Sequence, residues 1–165
     1  MFSPSADMHF AADKYKGHPH DLQNLPNCGF MYVRSNQRTI SFFKFWYQSK
    51  STYPGKNEQD VLNLIKFQEI RQRCMEVIFL DTEYFRGYCQ KSLDLSLVYT
   101  VHANCCRGLK TKLHDLRNTL SNWEKYMKHL HLPPGHNDVK DVYWTNARQC
   151  HPSGYNWHFG HLWRP

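Results

Sequence analysis

Short apolar runs that alternate with helical patterns limit the folds open to this chain. The runs at 28–33, 77–80 and 97–101 are rich in aromatic and β-branched residues, which is typical of buried strands. Helical patterns follow the first run at 36–47 and resume at Asn57, after a Pro-Gly pair that breaks the chain. Strands that alternate with helices predict an α/β layer, whose ligands gather at the carboxyl ends of the strands.

Apolar spacing indicates which faces of the helices are buried. Asn36 can cap the first helix. In that helix Ile40, Phe43 and Tyr47 recur at helical spacing. The clearest helix is predicted over 112–130. Its single apolar stripe recurs every three or four residues and comprises Leu113, Leu116, Leu120, Trp123, Met127 and Leu130.

The length and punctuation of the chain fit one domain with a tail. Proline and glycine interrupt residues 1–27, which we expect to be irregular, and periodicity disappears after the Pro-Pro-Gly sequence at 133–135. We therefore expect a domain at 1–134 and an irregular tail at 135–165. No run approaches the ~18 consecutive apolar residues of a membrane-spanning helix, and no basic segment followed by an apolar run opens the chain. We expect neither a membrane span nor a secretory signal within it.

The positive charge of the chain is spread along the sequence. Lysine and arginine number 21 against 14 aspartate and glutamate residues, which gives a net charge of +7 with histidine neutral. Proteins that bind nucleic acids usually concentrate basic residues on one face, whereas here they are scattered, and the only tight pairs are of the kind of Lys110 and Lys112. This distribution favours a basic surface, and we expect no nucleic-acid partner.

The six cysteines exclude the usual zinc-ribbon and thioredoxin signatures, because no C-x-x-C occurs. An even number permits disulfides, but buried free thiols are equally open from the spacing. Cys105 and Cys106 are adjacent, and a bond between neighbours would be strained, so any pairing is expected to reach elsewhere. His102 with one of these two cysteines could hold zinc, but no other close pair completes a tetrahedral set.

The sequence Asn-Glu-Gln-Asp at 57–60 is the first candidate site. Asn57 can cap the following helix, and Glu58 and Asp60 then lie at the positive end of its dipole. The same carboxylates, with the carboxamide of Gln59, could instead bind sugar hydroxyls or stabilise a cationic transition state. Spacing alone favours the capping role.

The segment that follows the third run is the second candidate site. His102 ends that run, where a neutral imidazole nitrogen is well placed to bind a metal. Gly108 lets the backbone approach a ligand closely. Arg107, Lys110 and Lys112 lie near the start of the long helix, whose amides attract anions. This order suits a diphosphate held by a divalent cation; the alternative is a hydrogen-bonded histidine beside a glycine turn with solvated lysines.

Several segments resemble one family when they are taken in order. They are NCGFMYVRSN at 27–36, FWY at 45–47, YPGKNEQDVLN at 53–63, FLDT at 79–82 and HANCC at 102–106, with WTNARQC at 144–150 as a further candidate. Together they resemble the nucleotide-diphospho-sugar transferase domain of plant glycosyltransferase family 77, which includes arabinosyl- and xylosyltransferases. The resemblance runs from about residue 2 to residue 134.

The resemblance implies a mixed-sheet GT-A fold, a retaining transfer from a nucleotide-sugar donor to a glycan or glycoprotein acceptor, and a divalent metal, usually manganese. It assigns His102 to the metal. It assigns Glu58, Gln59 and Asp60 to catalysis. Glu58 and Gln59 would lie by the anomeric centre, while Asp60 and Asn27 would shape the donor and acceptor pocket. The donor and diphosphate residues that it implies are Asn27, Gly29, Gly108, Lys110 and Lys112. Enzymes of this family work in the Golgi lumen and build cell walls.

One motif of the family has no counterpart in this chain. The Asp-x-Asp metal motif precedes the segment that matches residues 2–7, and no Asp-x-Asp occurs here. We therefore expect the chain to be the acceptor-side portion of the fold, incomplete at its N-terminus and inactive alone. In its complete form it would transfer a pentose or similar sugar. The alternative is a non-catalytic truncated relative that binds a glycan or a protein.

Overall fold

The computed structural model describes residues 3–90, 92, 94–130 and 147–150. It confirms an α/β fold with a mixed sheet. The strands are β1 (Met8–Lys14), β2 (Leu25–Val33), β3 (Val77–Leu80), β4 (Phe85–Gly87) and β5 (Thr100–His102). The helices are α1 (Gln37–Ser49), α2 (Glu58–Gln72) and α3 (Leu109–Leu130), with a short 3-10 turn at Leu95–Leu97.

The strands form two small sheets. The first has the order β2-β1-β3, in which β1 is antiparallel to β2 and parallel to β3. The second pairs β4 with β5 in parallel. Because β1 and β3 are parallel, their carboxyl ends meet at one edge of the first sheet, as the α/β prediction requires.

The expectation that residues 1–27 are irregular is wrong for β1. Met8–Lys14 is the central strand of the first sheet, and all but its last residue are buried. This strand was not predicted because two polar residues, His9 and Asp13, interrupt its apolar sequence. The burial of Asp13 is compensated by hydrogen bonds from side chains far along the chain. A local pattern does not reveal such partners.

The pairing of β1 with β2 is interrupted twice. Ala12 pairs with Pro26 and Lys14 with Leu25, so Asp13 is an extra residue on β1. Phe10 pairs with Met31 and Ala11 with Asn27, so residues 28–30 are extra on β2. Bulges of this kind change the direction in which a side chain points, and here they surround the candidate site.

Helix α1 begins where the sequence predicts, but its buried face differs. Asn36 caps it and accepts hydrogen bonds from the amides of Arg38 and Thr39. The buried residues are Thr39, Phe42, Trp46 and Ser49, whereas Ile40 and Tyr47 are exposed. The aromatic run at 42–47 offers two overlapping apolar faces. A hydrogen bond from Trp46 Nε1 to the Glu58 carbonyl helps to fix which of them is buried.

Helix α2 and strand β3 agree with the sequence. Asn57 caps α2 by accepting a hydrogen bond from the Asp60 amide at 2.9 Å, and β3 is buried throughout. The two helices and the first sheet enclose the main core, whose most buried apolar side chains are Met8, Phe10, Phe42, Leu62 and Phe79. This core holds the strand edge on which the site is built.

The prediction of a buried strand at 97–101 is wrong in extent and burial. A 3-10 turn occupies Leu95–Leu97, and β5 covers only Thr100–His102, all half-buried. An apolar run suggests a strand in the centre of a sheet. A strand in a two-stranded sheet has only one neighbour and is buried less. His102 is therefore the last residue of β5.

Helix α3 begins three residues earlier than predicted, at Leu109. Its apolar stripe is largely exposed in the described chain, with Leu120 at 56% and Leu130 at 57%. Half-buried Leu116 packs on a second small core with Tyr88, Ala103 and other residues. None of the described helices has the length and apolar character to cross a membrane.

Two disulfides fix the C-terminal part of the described chain. They join Cys89 to Cys105 and Cys106 to Cys150, so the adjacent cysteines bond elsewhere, as expected. Within the predicted tail, residues 147–150 form a turn against α3, and the amide of Cys150 donates to Asp115 at 2.8 Å. The rest of the segment at 135–165 lies outside the described residues.

Candidate functional site

A buried carboxylate collects three amide side chains at the edge of the first sheet. Asp13 Oδ1 accepts hydrogen bonds from Asn27 Nδ2 and Asn104 Nδ2, each at 2.7 Å. Asp13 Oδ2 accepts one from Gln59 Nε2 at 2.8 Å. These four residues, here called the Asp13 cluster, come from the end of β1, from β2, from the first turn of α2 and from the segment after β5. Each oxygen of the buried carboxylate is thereby hydrogen-bonded.

Backbone amides fix the orientation of two of these side chains. Asn27 Oδ1 accepts from the Gly29 amide at 2.8 Å, and Gln59 Oε1 accepts from the Cys28 amide at 3.2 Å. An amide side chain whose oxygen is held by an N–H donor must present its NH₂ group at the other side. Both NH₂ groups therefore face Asp13, and neither side chain can invert without losing a bond at each end.

Asn104 is held in the same manner and depends on a glycine. Its Oδ1 accepts from the amides of Tyr88 and Cys89, at 2.5 and 3.2 Å. A Cβ atom at Gly87 would lie 2.4 Å from the amide oxygen and nitrogen of Asn104, so a side chain at position 87 would displace Asn104. The packing of β4 thus positions one donor of the Asp13 cluster.

His102 adjoins the cluster and lies over the backbone of Gly29. A Cβ atom at position 29 would stand 2.5 Å from His102 Cε1. Burial lowers the pKa of His102; Asp13 opposes this shift and Lys112 adds to it. The imidazole is therefore neutral at neutral pH. Its Nδ1 is buried and has no hydrogen-bond partner in the part of the chain that the structure describes, which leaves a ring nitrogen for a ligand.

The described residues do not form a metal centre by themselves. No three histidine, cysteine, aspartate or glutamate side chains converge on a metal position within residues 3–90, 92, 94–130 and 147–150. Hard divalent cations prefer several oxygen ligands, but both oxygens of Asp13 already accept amide donors. The zinc alternative is wrong, because Cys105 and Cys106 are both in disulfides and cannot ligate as thiolates.

A cavity of about 470 Å³ lies beside the Asp13 cluster, between β2, α1 and the start of α2. Glu58 and Cys28 line it together with Trp46, Tyr47 and other residues. Burial raises the pKa of the Cys28 thiol to about 12, so at neutral pH the group is an uncharged thiol and not a nucleophile. Its lining combines aromatic rings with the carboxylate of Glu58 and the ammonium groups of Lys50 and Lys56, which suits a ligand with both apolar faces and polar groups.

The structure brings together four of the residues singled out from the sequence: Asn27, Gly29, Gln59 and His102. Glu58 precedes Gln59 but lines the neighbouring cavity. Asp60 lies in the first turn of α2, where its amide completes the cap, and its carboxylate takes no part in the bonds to Asp13. The capping role of Asn57 is therefore confirmed, and Gln59 has a second role that spacing did not reveal.

The residues proposed for a diphosphate lie at the start of α3. Gly108 adopts φ +83° immediately before the helix, a conformation that favours glycine. Lys110 is exposed, whereas Lys112 is half-buried and close enough to His102 to influence its pKa. Lys112 and His102 therefore share one region of the surface, while Lys110 points into solvent.

Sequence reasoning missed Asp13 and Asn104. Asp13 lies in the segment predicted to be irregular, and the signal that could have found it is a carboxylate at the end of an apolar stretch beside a strand. Asn104 lies within HANCC, two residues after His102. A polar amide between a strand end and a cysteine pair was visible there, but its partner is 91 residues away.

Comparison with known proteins identifies the family to which this chain is similar. The model of the nucleotide-diphospho-sugar transferase family matches residues 1–116, which include the Asp13 cluster and His102. An uncharacterized protein of Arabidopsis thaliana is 40% identical over 153 residues, covering 87% of this chain and 42% of the relative. A second uncharacterized Arabidopsis protein is 45% identical over 103 residues, covering 62% and 31%. The chain thus spans less than half of either relative, and no solved structure matches it significantly. This chain belongs to the nucleotide-diphospho-sugar transferase family.

Proposed function

We propose that this chain is the acceptor-side portion of a retaining glycosyltransferase of family 77. In its complete form the enzyme transfers a pentose or similar sugar from a nucleotide donor to a cell-wall glycan or glycoprotein. The observation that carries the proposal is the Asp13 cluster with His102 beside it, at the strand edge where α/β folds bind their ligands. The family match supports the donor class, and the order of the sequence motifs supports the narrower family.

The Asp13 cluster positions the residues that meet the transferred sugar. Asp13 is 7% and Asn27 6% exposed, so both act by holding the half-buried Gln59 and not by touching the sugar. Glu58 lines the adjoining cavity, where its carboxylate stabilises positive charge that develops at the anomeric carbon. Lys112 binds the diphosphate near the N-terminus of α3, whose free amides also attract anions.

A manganese ion would neutralise the charge of the departing diphosphate. Among the described residues His102 would hold it through Nδ1, and these residues do not complete its set of ligands. A manganese titration of the chain and of His102→Ala tests this. Equal affinities would remove His102 from the metal site.

The two disulfides support an oxidising compartment. Disulfides persist in the secretory pathway and are rare in the cytosol. The chain forms two, Cys89–Cys105 and Cys106–Cys150, and the amide of Cys89 donates to Asn104 of the Asp13 cluster. The Golgi lumen is therefore the proposed location. Fractionation of tagged protein, with thiol labelling before and after reduction, tests both the location and the pairing.

Turnover of nucleotide sugars tests the function directly. The enzyme is expressed at the length of its curated relatives, and Gln59→Ala is compared with Gln68→Ala, an exposed glutamine on the same helix. We expect Gln59→Ala to lower kcat more than it raises KM, because Gln59 acts mainly in the transition state. Gln68→Ala is expected to match the parent. Absence of transfer from every pentose and hexose donor would refute the proposal.

A non-catalytic binding role is the second candidate. The observation that favours it is the exposed apolar stripe of α3, including Leu113, Leu120 and Trp123, since large exposed apolar patches often mark binding surfaces. In this case the extended protein would bind a glycan or a protein partner without turning over any donor. The same assay, combined with glycan-array binding, separates the two roles.

A further inference from the structure

A second cavity opens at the carboxyl ends of β1 and β3. Its volume is about 420 Å³, within the range of small-molecule sites. Tyr15 lies directly after β1, and Asp81, Thr82 and Glu83 lie directly after β3. The remaining lining residues are Gly17, Gln90, Ser92 and Asp94. None of the residues given to the catalytic site above lines this cavity.

Ser92 gives this cavity an unused polar group. The residue is 5% exposed, and its Oγ is buried without a hydrogen-bond partner among the described residues. A buried hydroxyl without a partner costs free energy, so native structures usually supply one. Ser92 lines the cavity, and its Oγ, which is covered in this structure, can gain the missing bond from a ligand when the side chain turns toward the cavity.

The charge of the cavity selects among ligands. Asp81, Glu83 and Asp94 bring three carboxylates to its lining, and the described residues that line it include neither lysine nor arginine. Carboxylates accept hydrogen bonds and repel anions, so a phosphate or an acidic sugar is disfavoured. The carboxylates do not converge as a metal site within the described ranges. A ligand with several neutral O–H donors fits both the charge and the hydroxyl of Ser92.

Hydrogen bonds tie this cavity to the Asp13 cluster. The Tyr15 amide donates to Gln90 Oε1 at 2.6 Å, and Gln90 Nε2 donates to the Tyr15 carbonyl at 3.3 Å. The neighbour of Gln90, Cys89, donates its amide to Asn104 of the cluster. Tyr15 itself follows Asp13 by two residues. The two sites are therefore connected through the same short backbone segments, at Asp13–Tyr15 and Cys89–Gln90.

We propose that this cavity binds an uncharged sugar unit of the acceptor and excludes acidic sugars. The choice of a sugar rests on the proposed function, but binding is measured without transfer. Vicinal hydroxyls donate to the carboxylates of Asp81 and Glu83, and Ser92 Oγ pairs with another hydroxyl. Burial, with a contribution from Asp81, raises the pKa of Tyr15, so its phenol keeps its proton and can also donate.

A matched pair of sugars tests the charge selection. Methyl β-D-xyloside and methyl β-D-glucuronide differ by one carboxylate, and each is titrated into the ¹⁵N-labelled chain while amide shifts are followed. We expect the xyloside to shift the amides of Tyr15, Thr82 and Ser92 in a saturable manner. The glucuronide is expected to leave these amides unchanged.

A conservative variant tests the role of the hydroxyl. Ser92→Ala is expected to weaken xyloside binding about 2- to 12-fold, the contribution of one ordinary hydrogen bond. Its resistance to urea is expected to be unchanged or greater, because the lost hydroxyl has no hydrogen-bond partner among the described residues. Ser51→Ala, at an exposed serine, serves as the control and should bind the xyloside as the parent does.

Several results would overturn the proposal. Equal binding of glucuronide and xyloside would contradict the charge selection, and xyloside shifts confined to other residues would place the sugar elsewhere. Unchanged affinity in Ser92→Ala would remove the hydroxyl from the site. Tighter binding of arginine methyl ester than of the xyloside at the same amides would identify a cationic ligand. None of these results affects donor turnover, so the proposed function stands or fails separately.

Discussion

Replacing Asp13 by asparagine should break the Asp13 cluster in a way that its geometry specifies. The new amide keeps one oxygen, which can still accept from Asn27 and Asn104. Its NH₂ group must then face Gln59 Nε2, which is also a donor. Gln59 cannot invert to offer its oxygen, because that oxygen accepts from the Cys28 amide. A conflict between two donors is therefore unavoidable.

The cost follows from the bonds affected. One hydrogen bond to a charged acceptor is lost, worth about 1.5–3 kcal/mol, and two others become neutral and lose roughly 1 kcal/mol each. Removal of the buried charge recovers part of this lost stability, because folding no longer has to desolvate a carboxylate. We expect Asp13→Asn to lower the free energy of unfolding by about 2–4 kcal/mol.

A reciprocal exchange tests the reasoning more sharply than the single change. Gln59→Glu alone places two carboxylates 2.8 Å apart in the present geometry and should also destabilise the fold. The double variant Asp13→Asn/Gln59→Glu restores a donor opposite an acceptor, while the carboxylate introduced at position 59 still accepts from the Cys28 amide. We expect a favourable coupling of about 1–3 kcal/mol in a double-mutant cycle, measured by urea unfolding at pH 7. Gln68→Glu, on the exposed face of α2, is the control.

Two results would refute this account. A loss below about 0.5 kcal/mol for Asp13→Asn would mean that the cluster contributes little to stability. A double variant as unstable as the sum of the single variants would mean that the direction assigned to the hydrogen bond between Gln59 and Asp13 is wrong.

Three further changes test other parts of the structure. Burial lowers the pKa of Lys66 from 10.5 to about 8. Between these pH values the unfolded state holds the proton of Lys66 and the folded state has released it. The free energy of unfolding should therefore rise by up to about 3 kcal/mol from pH 8 to pH 10.5. Urea titrations should show this rise in the parent and not in Lys66→Met. Gly29→Ala should cost about 1–3 kcal/mol through its clash with His102, and His102→Ala should relieve most of that cost. Serine at Cys106 and Cys150, 44 residues apart, should lower the free energy of unfolding by up to about 4 kcal/mol in the chain-entropy model, as calorimetry can measure.

The sequence predicted the elements whose signals are local. Asn36 and Asn57 cap helices because their side chains accept from amides two or three residues away, and β3 is a short apolar run that lies buried. Gln59 and His102 were found because they stand at a helix start and a strand end, positions where α/β proteins bind ligands.

The features that the sequence did not predict depend on contacts between distant segments of the chain. Asp13 is visible as a site residue only when Asn27, Gln59 and Asn104 are brought to it, and no periodicity encodes that arrangement. The buried face of α1 could not be chosen from spacing either, since Phe42 with Trp46 and Phe43 with Tyr47 are equally good helical pairs. Packing against the sheet, together with the bond from Trp46 to Glu58, decided between them.

The sequence distances spanned by the Asp13 cluster bear on the order in which the chain folds. Its three bonds to Asp13 close loops of 14, 46 and 91 residues. Loop-closure entropy grows slowly, so the longest loop costs only about 2 kcal/mol more than the shortest, but such distant contacts form late in folding. Substitutions in the cluster should therefore accelerate unfolding and leave the folding rate nearly unchanged. A chain with an assembled Asp13 cluster would then be one that had completed folding, so that the cluster distinguishes the folded protein from its partly folded forms.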